Sequence, residues 1–274
     1  KIMEKKVVLI TGASSGIGKE TAKLLVENGH IVYGAARRLD KMNDLKEAGI
    51  KILEMDVTND ESMVQGIQKI IETEKRIDVL VNNAGYGSFG ALEDVPISEA
   101  KYQFDVNIFG LARLTQLVLP HMRKQQSGKI VNISSMGGKF GEPHGAWYHA
   151  TKFAVEGLSD SLRMELKQFN IDVVIIEPGA IKSEWGGIAK ENLLKVSGNT
   201  AYKNLATKHA TLIDETYKRV GSEPIVIAKT IAKAINSNNP KTRYAVGGGA
   251  KLLLFMRSIL SDKLFDKIFL SQLT

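Results

Sequence analysis

A tyrosine and a lysine four residues apart have the clearest potential for proton transfer in this sequence. Tyr148 and Lys152 stand in the stretch WYHATKFAVEGL, near the start of a predicted helix. Residues four apart share a helix face, with Cβ atoms about 5–6 Å apart. A free tyrosine has a pKa of about 10, and an ammonium at about 4 Å favours its phenolate by up to about 4 kcal/mol. We therefore expect Lys152 to lower the pKa of Tyr148 and make it a general acid and base.

A glycine-rich turn joins the first predicted strand to the first predicted helix. The turn TGASSGIG places Gly12, Gly16 and Gly18 where the backbone can turn sharply and approach a ligand closely. The helix that begins near Ile17 directs free N–H groups and the positive end of its dipole toward the turn, which suits a pyrophosphate. A structural turn without a ligand is the alternative interpretation. The position between a strand and a helix favours the binding interpretation.

Strand-like and helix-like segments alternate along most of the chain. Short apolar runs predict strands at residues 5–10, 30–36, 50–57, 77–85, 128–135, 171–179 and 242–247. Periodic apolar positions predict helices at residues 17–29, 39–49, 59–74, 98–123 and 147–169, and another that starts at Pro224. Short apolar strands alternating with helices are typical of the α/β class. We expect a doubly wound parallel sheet, Rossmann-like, with helices on both faces.

The composition narrows the classes of function. The chain has 274 residues, 43% of them apolar, and no cysteine, which excludes disulfides and thiolate chemistry and fits a cytoplasmic location. No apolar run reaches the roughly 18 residues of a membrane-spanning helix, and no signal-peptide pattern opens the chain. The net charge of +7 is spread along the sequence, so we expect no nucleic-acid partner.

The five histidines lack the spacing of a metal site, and we expect no metal. His144 and His149 flank the tyrosine and could contact a substrate. The favoured interpretation is that they are surface or loop histidines.

Further motifs follow the glycine turn in a fixed order. Asp56 ends the third strand, NNAG ends the fourth, VNIFG supplies Asn107, ISSMGG ends the fifth, YHATK matches Y-x-x-x-K, and EPG ends the sixth. This ordered set, from about residue 5 to residue 183, resembles the short-chain dehydrogenase/reductase family. Its arrangement is similar to the branch that includes hydroxysteroid and retinol dehydrogenases.

The resemblance implies four catalytic residues. Tyr148 would exchange a proton with the substrate oxygen, and Lys152 would lower its pKa and bind the nicotinamide ribose. Ser135, thirteen residues before the tyrosine, is favoured over Ser134 as the serine that steadies the substrate oxygen. Asn107 would hold a water molecule that links the lysine to solvent, and a helix-kink asparagine bonded to backbone is a compatible alternative.

The resemblance also implies a nicotinamide dinucleotide site. Its expected residues are Gly12, Ser14, Ser15, Gly16, Ile17, Gly18, Arg37, Arg38, Asp56, Val57, Asn83, Ala84, Gly85, Tyr148, Lys152, Pro178, Gly179, Ile181 and Ser183.

The end of the second strand bears on the choice of cofactor. An acidic residue there commonly binds the ribose 2′-OH of NAD, but this position is Ala36, and Arg37 and Arg38 follow it. Guanidinium groups suit a 2′-phosphate, so we expect NADP(H) to be preferred over NAD(H). An ordinary basic helix start is the alternative interpretation. Ser15 occupies a position where the family sometimes has a basic residue.

The resemblance implies an NADP(H)-dependent oxidoreductase that interconverts a carbonyl and a secondary alcohol on a bulky, apolar small molecule. A lyase or epimerase on the same fold is disfavoured by the glycine spacing. A non-catalytic NADPH sensor is disfavoured because Tyr148 and Lys152 are both present. The family commonly forms homodimers or homotetramers through the helices near Asn107 and Tyr148, and we expect the same.

The chain divides into a domain at residues 3–248 and a C-terminal amphipathic helical extension at residues 249–274. Residues 1 and 2 are expected to be additions before Met3. Residues 183–222 fall where the family carries a helical substrate lid, although their polarity fits a loop equally well.

Three interpretations of the extension stay open. It could pack on its own domain or a partner subunit, shape an apolar substrate entrance, or contact a membrane surface through a basic amphipathic face.

Overall fold

Seven parallel strands form one sheet in the order β3-β2-β1-β4-β5-β6-β7. The structure is a computed structural model that describes residues 4–273, so the expected limits at residues 3 and 274 lie outside the described residues. The strands are β1 (Val7–Thr11), β2 (Ile31–Ala36), β3 (Lys51–Glu54), β4 (Val79–Asn82), β5 (Gly128–Ile133), β6 (Ile171–Pro178) and β7 (Arg243–Val246). The order reverses between β1 and β4, and such a reversal opens a ligand crevice at the carboxyl ends of the strands.

Helices cover both faces of the sheet. They are α1 (Gly16–Glu27), α2 (Asn43–Glu47), α3 (Asp60–Glu74), α4 (Ile97–Phe104), α5 (Leu111–Gln125), α6 (Ala146–Leu166), α7 (Glu184–Ser197), α8 (Lys203–Val220), α9 (Pro224–Asn236), α10 (Ala250–Ile259) and α11 (Asp262–Leu270). The predicted doubly wound α/β fold is confirmed.

Each face of the sheet contributes to a separate hydrophobic core. Side chains of a strand alternate between faces, so Val8 and Ile10 of β1 pack with α1 and α9. Val7 and Leu9 point to the opposite face and pack with α3 and α5. All five residues of β1 are buried, which explains its unbroken apolar run.

The helix expected at residues 98–123 is interrupted. One π-helical turn, Asp105–Gly110, separates α4 from α5. Such a turn inserts an extra residue into the helix and commonly occurs at functional sites. Asn107 lies inside it.

The segment at residues 183–222 folds into two helices, α7 and α8, and not into a loop. Its apolar periodicity is weak because the buried residues include small ones, such as Gly186, Ala189, Ala206 and Ala210. These small side chains let the two helices pack closely, together with Phe89 and Leu193.

The C-terminal extension forms α10 and α11 and packs on its own domain. Phe265 is buried against Phe140, with ring centroids 5.2 Å apart. Leu253 and Phe269 line the large cavity described below. Within residues 4–273, no helix combines the length and apolar character needed to cross a membrane.

Candidate active site

A cavity of about 620 Å³ lies at the carboxyl ends of the strands. Its walls come from the glycine turn, the residues that follow β2 to β6, the segment before α6, the helices α7 and α8, and the C-terminal extension. Its volume falls in the usual range of about 300–1,000 Å³ for ligand sites. All the expected site residues line it except Gly18 and Asn107, which lie behind its wall.

The glycine turn has the conformation that its sequence predicts. Gly12 and Gly16 have φ values of +66° and +52°, in the region that favours glycine. A Cβ on Gly18 would lie 2.4 Å from the Gly12 carbonyl oxygen, so this glycine serves packing and does not face the cavity. Ser15 precedes α1 without capping it through its side chain. The first N–H groups of α1 therefore remain available, and the turn fits a pyrophosphate.

Thr11, which the sequence analysis did not single out, fixes the glycine turn to the loop after β4. Its Oγ1 accepts hydrogen bonds from the backbone N–H groups of Asn83, at 3.1 Å, and Ala84, at 3.0 Å. Asn83 Nδ2 donates in return to the carbonyl oxygens of Thr11 and Gly12. The position of Thr11 directly before Gly12 was the signal that could have identified it.

Two arginines stand at the rim of the cavity, beyond the end of β2. Arg37 and Arg38 are both exposed. Arg37 Nη1 donates to the Tyr102 hydroxyl at 2.9 Å, so this tyrosine orients the guanidinium. The Asp56 carboxylate accepts from the backbone N–H and the hydroxyl of Thr58, which fixes it at the same end of the cavity. This end fits the adenosine half of a dinucleotide.

The first turns of α6 carry the tyrosine and lysine into the cavity. Lys152 Nζ donates to the Ile133 carbonyl oxygen at 2.9 Å and lies 5.8 Å from the centroid of the Tyr148 ring. Ser135 Oγ accepts from Gly137 N at 3.0 Å. The Ser135 hydroxyl forms a hydrogen bond with the Tyr148 phenol that favours the ionised phenol and so opposes the rise of its pKa. The Ser134 hydroxyl, by contrast, is buried. The structure therefore brings Ser135, Tyr148 and Lys152 together.

Asn107 holds three segments together from behind the cavity wall. Its Oδ1 accepts from Tyr86 N at 2.8 Å, and its Nδ2 donates to Tyr86 O and to Thr151 Oγ1. A Cβ on Gly85 would lie 3.8 Å from Asn107 Oδ1 and 4.0 Å from Lys152 Nζ. The missing side chain of Gly85 leaves space between these two polar atoms. The expected water-holding role stays a prediction.

Aromatic and aliphatic side chains form the end of the cavity beyond Tyr148. The Trp185 ring of α7 lies 5.1 Å from the Tyr148 ring and 5.7 Å from the Phe89 ring, between centroids. Other residues of this end are Ile188, Leu212, Ile213, Tyr217, Leu253 and Phe269. The predicted lid and the C-terminal extension thus both contribute apolar surface to this end of the cavity.

The expectation of surface or loop histidines beside the tyrosine holds for the position of His144, which lies in the loop before α6, and is wrong for His149, which lies in α6. His144 and His149 are buried, because α8 and the loop that precedes α6 pack over them. His144 Nδ1 lies 3.1 Å from Nδ1 of His209 on α8. Burial and the neighbouring His209 lower the pKa of His144 to about 4. Among residues 4–273, no group of three or more histidine and acidic side chains is arranged to hold a metal ion.

Comparison with known proteins identifies the family. The family model described as short chain dehydrogenase matches residues 6–192. This chain belongs to the short-chain dehydrogenase family. It is an oxidoreductase of that family, as the ordered motifs predict.

Named relatives match nearly the whole length of this short-chain dehydrogenase. It is 40% identical over 246 residues to the 3-ketodihydrosphingosine reductase of Bacteroides thetaiotaomicron, covering 89% of each chain. It is 32% identical over 284 residues to the NADPH-dependent 3-dehydrocapnine reductase of Ornithobacterium rhinotracheale, covering 98% of this chain and 97% of the relative. A short-chain dehydrogenase from Streptomyces avermitilis superposes with a TM-score of 0.82 at 32% identity, covering 98% and 96% of the two chains.

The expected lowering of the Tyr148 pKa is wrong for this short-chain dehydrogenase. Burial raises the pKa of Tyr148 to about 12, against an opposing effect of the Ser135 hydroxyl. Burial also lowers the pKa of Lys152 to about 8. The Lys152 ammonium donates a hydrogen bond to the Ile133 carbonyl oxygen. Burial raises the pKa of the Tyr148 phenol by more than this cation can lower it. Tyr148 is therefore a protonated donor at neutral pH.

The lowered pKa of Lys152 predicts a pH-dependent stability. Between pH 8 and pH 10.5 the unfolded dehydrogenase holds a lysine proton that the folded one has released, so this group makes the free energy of unfolding rise with pH. Over the whole of this pH range, the free energy of unfolding rises by roughly 3 kcal/mol. Thermal unfolding of wild type and Lys152→Met should show the wild type gaining stability relative to the variant between pH 7 and pH 10. A difference in Tm that stays constant over this range contradicts the prediction.

Proposed function

We propose that this oxidoreductase interconverts a carbonyl and a secondary alcohol with NADP(H) as its preferred cofactor. The observation that carries the proposal is one continuous cavity with two different ends. The glycine turn and two arginines form the end that suits a phosphorylated dinucleotide, and aromatic side chains form the other. Tyr148 lies between them and contacts the aromatic end directly.

In the proposed reaction, the bound cofactor supplies or accepts the hydride. The glycine turn would hold its pyrophosphate, the Arg37 and Arg38 guanidiniums its 2′-phosphate, and Lys152 its nicotinamide ribose. The Tyr148 hydroxyl would give its proton to the carbonyl oxygen during reduction and take it back during oxidation. The Ser135 hydroxyl would donate a hydrogen bond to the same oxygen.

The lining of the cavity supports a bulky, apolar substrate. Phe89, Trp185 and Leu212 are typical of the hydrophobic and aromatic walls that bury a small ligand. Two relatives are named as reductases, and one of these is named as NADPH-dependent. These names support the use of NADPH and the direction of reduction.

The test is NADPH oxidation by the purified protein over a panel of long-chain ketones, steroid ketones and retinals, with product identification. We expect turnover of at least one apolar carbonyl, and slower turnover with NADH. Tight NADPH binding without turnover on any member of the panel would overturn the proposal in favour of a non-catalytic sensor. Products of elimination or epimerisation would favour the lyase or epimerase alternative.

The exposed apolar surfaces of α6 and of the π-helical turn before α5 support a homodimer or homotetramer. Phe109 in the π-helical turn is 61% exposed, and Phe153 and Met164 on α6 are 48% and 69% exposed. Phe153 and Met164 are eleven residues apart, about three helical turns, and so share one face. Exposed apolar surface of this kind marks interaction sites.

We therefore expect size-exclusion chromatography with light scattering to show a dimer or tetramer. Met164→Asp should shift the protein toward the monomer, because it places a charge in the apolar interface, whereas Leu252→Asp at an exposed position of α10 should leave the assembly state unchanged. A monomeric wild type would contradict the proposal.

The C-terminal extension supports a peripheral contact with a lipid surface. Leu252, Phe255 and Ile259 of α10 and Ile268 of α11 are exposed, and Lys267 lies beside them. Apolar side chains flanked by lysines are typical of helices that lie on membranes. We propose a cytoplasmic location, which the absence of cysteine supports.

A further inference from the structure

Two buried carboxyl groups lie close to Lys152 without a role in the proposed reaction. Glu156 of α6 and Glu177 of β6 are each 4% exposed. Glu156 follows Lys152 by four residues, so the two side chains share one face of α6. Glu177 directly precedes Pro178, which lines the cavity. Glutamate side chains are almost never fully buried unless they are paired, so the partners of these two decide what they can do.

Two cations contact the pair, and both bind the same oxygen of Glu156. Lys139 Nζ, in the loop after β5, lies 2.8 Å from Glu156 Oε2, and Arg243 Nε, on β7, lies 3.0 Å from it. The same two nitrogens lie 3.9 Å and 3.6 Å from Glu177 Oε1, which is too far for a hydrogen bond. Arg243 also donates to Asp160 of α6 at 2.8 Å. Glu156 is therefore the carboxylate that these cations satisfy.

One oxygen of each glutamate lacks such a contact. Among residues 4–273, Glu156 Oε1 and Glu177 Oε1 are buried and accept no hydrogen bond from an N–H group or a hydroxyl. A single proton on the pair resolves this, because a protonated carboxyl group can donate to its neighbour. Burial and the charge of Glu156 raise the pKa of Glu177 to about 7, although the two cations oppose the rise. Carboxyl groups that interact in this way titrate as a pair.

The charge of this pair acts on Lys152. Burial lowers the pKa of Lys152 to about 8, and the negative charge of Glu156 opposes this lowering. A Cβ on Gly138 would lie 3.0 Å from Glu156 Cγ and 3.1 Å from the Lys152 carbonyl oxygen. The turn after β5 therefore closes directly over this part of α6. Because little water can enter between the two side chains, their interaction is screened less than it would be on the surface.

We propose that Glu156 and Glu177 share one proton and act as positioning residues that set the charge of Lys152. Below neutral pH, the pair carries a single negative charge. As the pH rises, the pair releases its proton and carries two negative charges, which favours the ammonium form of Lys152. The lysine then stays protonated at a pH where burial alone would neutralise it. This inference rests on the proposed function only for the task of the ammonium, which is to hold the nicotinamide ribose.

The test is an NMR titration of the protein labelled with carbon-13 at the lysine ε carbons, with the Lys152 signal assigned by its absence in Lys152→Met. Glu156→Gln removes the nearest negative charge and should lower the pKa of Lys152 by at least about half a pH unit. Glu156→Asp keeps the charge on a shorter side chain and should lower this pKa by less. Glu165→Gln, at an exposed position of the same helix, is the matched control and should leave it unchanged.

A second titration needs no substitution at Glu156. With carbon-13 at the glutamate carboxyl carbons, the wild type should show one carboxyl group that titrates near pH 7, and Glu177→Gln should remove its signal. The inference is overturned if every glutamate carboxyl titrates below about pH 5, close to its ordinary range. It is equally overturned if Glu156→Gln leaves the pKa of Lys152 unchanged, or if Glu156→Asp lowers it as much as Glu156→Gln does, which indicates a packing role.

The pH profile of NADPH oxidation tests the proposed function separately. We expect the fall of kcat/KM at alkaline pH to move to lower pH in Glu156→Gln by the same amount as the pKa of Lys152. A pKa that moves in the NMR titration while the rate profile stays in place would support the carboxyl pair and contradict the proposed task of Lys152 in the reaction.

Discussion

Replacing Tyr148 by phenylalanine is expected to lower the rate of carbonyl reduction by about 10²–10⁴-fold, the usual contribution of a general acid. The variant keeps the ring that packs against Phe89 and Trp185 and loses only the hydroxyl. Because burial raises the pKa of Tyr148 to about 12, the wild-type hydroxyl is protonated at neutral pH and can donate its proton to the substrate oxygen. Steady-state kinetics with NADPH and a responsive ketone measure the loss.

The binding of NADPH to Tyr148→Phe should be nearly unchanged in a fluorescence titration, which separates chemistry from binding. Tyr217→Phe is a matched control, because Tyr217 is another hydroxyl of the cavity wall. Its removal should cost less than about 10-fold, within the range of one neutral hydrogen bond. A Tyr148→Phe variant that retains more than a tenth of the wild-type rate would exclude Tyr148 as the proton donor.

Removing both arginines at the rim of the cavity is expected to weaken NADPH binding by at least about 100-fold. A charged hydrogen bond contributes about 1.5–3 kcal/mol, and Arg37→Ala with Arg38→Ala removes two such donors. NADH lacks the 2′-phosphate, so its affinity should change by less than about threefold. Isothermal titration calorimetry with both cofactors gives the two affinities directly.

The single variants Arg37→Ala and Arg38→Ala show how much of the loss in NADPH affinity comes from each arginine. Tyr102→Phe is the matched control for Arg37, because it removes only the hydroxyl that accepts from the guanidinium. We expect it to weaken NADPH binding by less than about 10-fold. An equal loss of NADPH and NADH affinity in the double variant would show that the arginines do not contact a 2′-phosphate.

Local patterns in the sequence were sufficient to predict the strands of the sheet and the residues at the glycine-turn end of the cavity. The apolar runs that became β1 and β4 predict buried strands, and Gly12 and Gly16 occupy the left-handed conformations that their turn requires. Arg37 and Arg38 follow β2 directly, so their position at the rim is a consequence of strand order alone.

Features that depend on packing between distant segments could not be predicted in the same way. The raised pKa of Tyr148 reflects burial by neighbours such as Phe89 and Trp185, which lie far away in sequence. His144 meets His209 only because α8 packs over the loop before α6.

The most direct measurement of the central claim is the fate of deuterium placed at C4 of NADPH. The purified protein would be incubated with both C4 stereoisomers of the labelled cofactor and a ketone from the panel, and the alcohol would be analysed by mass spectrometry. The account predicts one deuterium on the carbinol carbon from one stereoisomer, with the transfer nearly abolished in Tyr148→Phe. Cofactor oxidation that leaves the alcohol unlabelled by either stereoisomer, or full transfer in Tyr148→Phe, would contradict it.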